Sequence, residues 1–161
     1  MFNQKKDKEM KKLRFLSIVT LAVALFWPVA TSCAKGLPTD NDPCAPLPAA
    51  AKAIIKEHFA GKEVLLVKQE TEWVRRQYDV VFSDGSKVEF DSNGEWTEID
   101  CIQSGVPTAL VPKPILDFVK KHYPNYIITQ IDRDRRGYDV DLSNGLEIEF
   151  NKKFQVIDID H

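Results

Sequence analysis

Apolar residues recur at helical spacing twice along the 161 residues of this chain. Ala51, Ile54, Ile55 and Phe59 fall on one helical stripe, and Ile115, Phe118, Val119 and Tyr123 repeat it. Such spacing predicts two amphipathic helices. Pro48 and Pro114 stand in the first turns, where a missing amide hydrogen costs nothing, and Gly61 and Pro124 end the pattern. Helices this short are marginal alone and need a sheet to cover.

Behind each stripe the period changes to two. Tyr78, Val80 and Phe82 alternate with polar neighbours, then Asp84-Gly85 marks a tight turn, then Val88 and Phe90 alternate with Lys87 and Glu89. The same grammar returns sixty residues later in Tyr138 to Phe150, with Asn144-Gly145 at the turn. A strand precedes each pair (64–67 and 127–131), and another follows it (96–101 and 156–160). The stretch 69–76 is longer than its counterpart 133–136 and reads as an insertion at a hairpin tip. The expected fold class is α+β. Two tandem units, 46–102 and 111–161, each hold one helix and four antiparallel strands, with 103–110 as linker. The result is two layers with one open sheet face, which antiparallel sheets tolerate.

The first 33 residues follow other rules. Six basic residues between Lys5 and Arg14 precede an apolar run from Phe15 to Ala30 and then Thr31, Ser32 and Cys33. That order predicts an export signal over 1–33, followed by a linker over 34–45. Six of the 22 basic residues and two of the 24 acidic ones lie in 1–33, so the remainder has 16 and 22 and a formal charge of −6. That acidity argues against nucleic acid and against an anionic membrane surface as partner. The expected location is periplasmic or secreted. Contact with a membrane would come only through the signal or a lipid anchor.

Cys33 stands either as the acylated cysteine of a lipoprotein signal or inside an ordinary cleavage site; both remain open. Either outcome leaves Cys44 with Cys101, and an oxidising compartment would favour their disulfide. A loop of that length would stabilise by roughly 4 kcal/mol in the chain-entropy account.

Leu47 to Lys52, Phe90 to Trp96, Ile99-Asp100-Cys101, Val111-Pro112 and Val156 to Asp160 follow one another along the chain. In that order they resemble the PepSY-like family of secreted Bacteroidetes proteins. The resemblance implies a fold like that of the beta-lactamase-inhibitor protein, tandem helix and four-strand units whose sheets make one curved surface. It also implies a link to peptidase inhibition. It implies no catalytic residues.

Alternation places Asp139, Asp141, Glu147, Glu149, Asp158 and Asp160 on the face away from the helices, with Asp79, Val81, Lys87, Glu89, Glu98, Asp100 and Trp96 in the first unit. Like charges on neighbouring strands oppose pairing. The face is therefore either a solvated surface, a site for a basic protein of the envelope or secreted space, or the weak calcium or small-ligand site of an envelope sensor; no other cofactor is expected. Trp96, with Trp73, is the expected aromatic anchor. Asp91 to Glu95 reads as a turn rather than a calcium loop, lacking EF-hand spacing. His58 and His122 sit near helix C-termini, where a cationic group suits the dipole, and are not expected to share a metal. Arg75, Arg76, Arg133, Arg135 and Arg136 read as solvated tips or an interface rim. No nucleophile–base pair or phosphate loop is present in the sequence, so no enzyme is expected.

Overall fold

The computed structural model describes residues 42–72 and 75–160. Helix α1 (Ala49–His58) leads to β1 (Val64–Glu72), β2 (Arg75–Phe82), β3 (Lys87–Phe90) and β4 (Trp96–Asp100). A 3-10 turn (Thr108–Leu110) precedes α2 (Lys113–His122), and β5 (Ile128–Arg133), β6 (Gly137–Leu142), β7 (Glu147–Asn151) and β8 (Val156–Asp160) follow. The strands form one eight-stranded antiparallel sheet in chain order. The predicted signal with Cys33, the start of the linker and Trp73 lie outside the described residues.

Both helices turn their stripes onto one face of this sheet. Ile55 of α1 is buried, and Phe59, just past the helix, stacks on Phe82 of β2 with ring centroids 5.0 Å apart. In α2, Ile115 and Val119 are buried and Phe118 meets Phe150 of β7 edge to face at 5.4 Å. Val80, Phe82, Val88, Phe90, Val140, Ile148 and Phe150 supply the sheet side of a single core running through both halves. Each such aliphatic or aromatic burial stabilises by about 1.5–3 kcal/mol.

The halves meet through backbone pairing. Glu98, Ile99 and Asp100 of β4 pair with Asp132, Ile131 and Gln130 of β5. The segment between them is tied down: Gly105 N–H donates to the Cys101 carbonyl at 2.7 Å and Val106 N–H to that of Ile128 at 2.9 Å. Val106 and Val111 are buried and join the common core.

Two expectations change here. The stretch 69–76 is not a loop insertion: β1 and β2 stay paired out to Glu72 and Arg75. The additional residues lengthen both hairpin arms. The Cys44–Cys101 cross-link is absent, for Cys101 is a free thiol. Strand alternation turns Cys101 inward behind Ile99, where it is fully buried. Burial raises its pKa, against the opposing pull of the Ser86 hydroxyl bonded to it. A buried, protonated thiol is a poor nucleophile. Cys101 should therefore resist a thiol reagent in the native protein and react fully in denaturant; rapid native labelling at this position would contradict its placement.

The turns between strands are local in origin. In the β2–β3 turn, Gly85 N–H donates to the Phe82 carbonyl at 3.0 Å while Gly85 takes φ +83°, a conformation open to glycine. In the β3–β4 turn, Asp91 Oδ1 accepts from the Asn93 and Glu95 amides at 2.8 and 3.0 Å. Its carboxylate thus closes a turn. Asn151 does the same for Lys153 and Gln155 between β7 and β8.

Candidate functional site

Register decides what the open face looks like. Successive strand pairs align Lys68, Asp79, Glu89, Glu98, Asp132, Asp139, Glu149 and Asp158 into one row across all eight strands. Seven of these eight side chains are carboxylates. A second row, two residues along each strand, runs Leu66, Val81, Lys87, Asp100, Gln130, Asp141, Glu147 and Asp160. All six acidic positions expected in the second half, together with Glu98, share this face. Asp132 was missed by the sequence reading, although Ile131 inward and Asp132 outward follow the same alternation.

Trp96 does not belong to the face. The β3–β4 ladder slips by one residue between Glu89 and Phe90, so Glu89 pairs with Glu98 but Phe90 with Trp96. This bulge at Thr97 reverses the parity of the strand start. Trp96 is consequently on the helix side, 7% exposed, with the Arg133 guanidinium 4.6 Å above its ring. Arg133 Nη2 also donates to the Trp96 carbonyl at 2.6 Å. That arginine closes the core's rim.

Charge on the face is uneven. Lys87 pairs with Glu89, whose other oxygen accepts from the Gln77 amide. Lys68 pairs with Glu70 at the β1 end. Glu98, in the middle of the row, is only 8% exposed, and its Oε1 has no hydrogen-bond partner. Burial, then the charges of Glu89, Asp132 and Asp100, push its pKa up to about 8 against the pull of Lys87. Burial also raises Asp79 and Asp100, each of which has one buried oxygen without a hydrogen-bond partner. Near neutral pH Glu98 therefore carries a proton, and the centre of the row is less negative than its composition suggests.

Beside the second row lies an open groove of about 620 Å³, with Ile102, Gln130, Asp141, Glu147 and Asp160 among its walls. Ile102 is 72% exposed there. Among the described residues no three His, Cys, Asp or Glu side chains are already gathered to hold a metal ion. The two histidines stand apart, His122 against Phe118 at 4.5 Å and His58 beside Glu57 at 4.0 Å.

A family model for PepSY-like proteins, proposed to be beta-lactamase-inhibitor-like, matches residues 76–158. The chain belongs to the PepSY-like family. Its solved relatives include a proposed periplasmic protein of the DUF2874 family from Bacteroides vulgatus, 46% identical, covering 73% of this chain and 92% of that one at a TM-score of 0.71. A proposed calcium-regulated periplasmic protein from Bacteroides thetaiotaomicron is 41% identical, with the same coverage and TM-score. A further proposed periplasmic protein of unknown function from Bacteroides vulgatus is 35% identical, covering 73% and 94% at a TM-score of 0.70. No curated protein matches the chain. Among the described residues no helix is long and apolar enough to cross a membrane.

Proposed function

We propose that this PepSY-like chain is a non-enzymatic binding module of the periplasm or secreted space that takes a basic protein on its open sheet face. The supporting observation is the row of seven carboxylates held in register across β2 to β8. Neighbouring like charges cost the sheet stability, and a cationic partner would relieve that cost on binding. A peptidase held in check by this face is the finer version, in keeping with the inhibitor-like description of the family.

The test is capture from envelope extract with the wild type, with Glu147→Lys plus Glu149→Lys, and with Lys120→Glu plus Lys121→Glu on the helix side. Capture should fail only for the sheet-face pair. A partner kept by that pair and lost by the helix pair would place binding on the other layer and sink this reading.

A second reading is favoured by one relative's description as calcium-regulated. On it, calcium would draw carboxylates of the row together, since the ion takes several oxygen ligands. Millimolar calcium should then raise the melting temperature, because a ligand of the folded state stabilises it. An unchanged melting curve would remove calcium from consideration.

A further inference from the structure

We infer that the partner segment is an α-helix with a basic stripe, lying along the carboxylate row and therefore across the strands. The inference rests on the binding reading above and specifies the partner's shape. Adjacent strands are about 4.8 Å apart, so seven carboxylates on seven strands span about 29 Å. A helix returns a side chain to the same face every turn, about 5.4 Å, by i, i+3 or i+4 steps. Over the row's length the two repeats drift by only about 4 Å, which the flexible stems of lysine and arginine can absorb.

An extended partner does not fit this way. Its same-face residues are about 6.7 Å apart and fall out of step with the strands after two of them. Laid parallel to the strands instead, it would meet only two rows of charge. The continuity of the row across the β4–β5 junction is what favours a long ligand with closely spaced charges.

Glu98 marks the middle of the site. It is 8% exposed, its Oε1 is without a hydrogen-bond partner, and it lies between Glu89 on β3 and Asp132 on β5. The other charges facing it are Lys87, engaged by Glu89, and Asp100 on its own strand. A cationic side chain arriving over Glu98 would come up to a carboxyl whose buried Oε1 no group of the fold satisfies. It would also favour loss of the Glu98 proton, so binding should strengthen as pH rises toward 8. The apolar flank of such a helix would reach the groove beside Ile102.

Three synthetic peptides of about 19 residues and identical composition test this. One carries lysines on a single helical stripe, one has them dispersed around the helix, and one keeps the stripe order but has its proline moved from an end to the centre. The stripe peptide should bind roughly tenfold tighter than either control, because several weak exposed pairs then form together. It should gain helical circular dichroism on binding and release protons near neutral pH. Glu149→Lys should weaken it, and Glu98→Gln should abolish the proton release. Equal binding of all three peptides would overturn the helix while leaving the binding reading intact. No binding of any peptide, or binding indifferent to both substitutions, would also overturn it; the envelope capture reports separately on the broader reading.

Discussion

Glu98→Gln should make the protein more stable at pH 7, by about 3 kcal/mol, an unusual outcome for replacing a buried residue. In the unfolded chain this carboxyl ionises at its ordinary value of 4.5; in the folded sheet it holds its proton up to about pH 8. Between those values the folded state binds the additional proton, so stability falls as pH rises through the window and levels off above it. Each unit of that window corresponds to about 1.4 kcal/mol. Glutamine keeps the shape, is neutral in both states, and escapes the penalty. Urea unfolding at pH 4.5, 6, 7 and 8.5 should therefore show two curves that nearly coincide in acid and diverge steadily toward pH 8. A gap independent of pH, or a variant weaker than the wild type at pH 7, would mean that Glu98 is ionised in the fold. The same substitution should blunt the pH response of binding, so one residue links stability and recognition with opposite signs.

How much of this could be read from the residues alone depends on the scale of the interaction. The helix stripes were legible because Ile55, Phe59, Ile115 and Val119 report a local period, and the fold buries all four. The α+β class and the inward strand positions were legible for the same reason. The acidic face was legible as a set, through the alternation of Asp139, Asp141, Glu147 and Glu149. Its continuity was not. That depends on β4 pairing with β5, which sequence periodicity within either half does not report. A bulge inserts one residue without altering composition, so parity counted from the strand's end misplaced Trp96. Cysteine arithmetic failed in a similar way. It counts partners and a compartment, while the burial of Cys101 behind Ile99 is a property of the whole sheet.

The two halves also differ where the repeat looks most regular, and Gly137 shows what such a difference does. Its equivalent in the first half is Gln77, whose side chain reaches Glu89 on the open face. In the second half pairing runs one residue further, with Gly137 opposite Asn151 at the start of β6. A Cβ at Gly137 would sit 1.8 Å from the Phe150 carbonyl oxygen and 2.9 Å from backbone atoms of Asn151. Neither neighbour is a side chain that could turn aside, so relief requires β6 and β7 to part. Gly137→Ala should therefore cost several kcal/mol, about 3–5, in the range reserved for disrupted backbone packing. Gly145→Ala is the informative control. That glycine sits at φ +83° with nothing within 4 Å of a built Cβ, so alanine there should cost only about 1 kcal/mol of conformational strain. Denaturant unfolding of the two variants should separate them clearly, and amide exchange in Gly137→Ala should speed up at Tyr138 and Asn151 before it does at Val80 or Val88. Because β6 carries Asp139 and Asp141, the same variant should lose basic-peptide affinity even at temperatures where it stays folded. Equal costs for the two glycines would mean that β6 and β7, which carry Asp139 and Glu149 of the row, are not packed as closely as their pairing indicates.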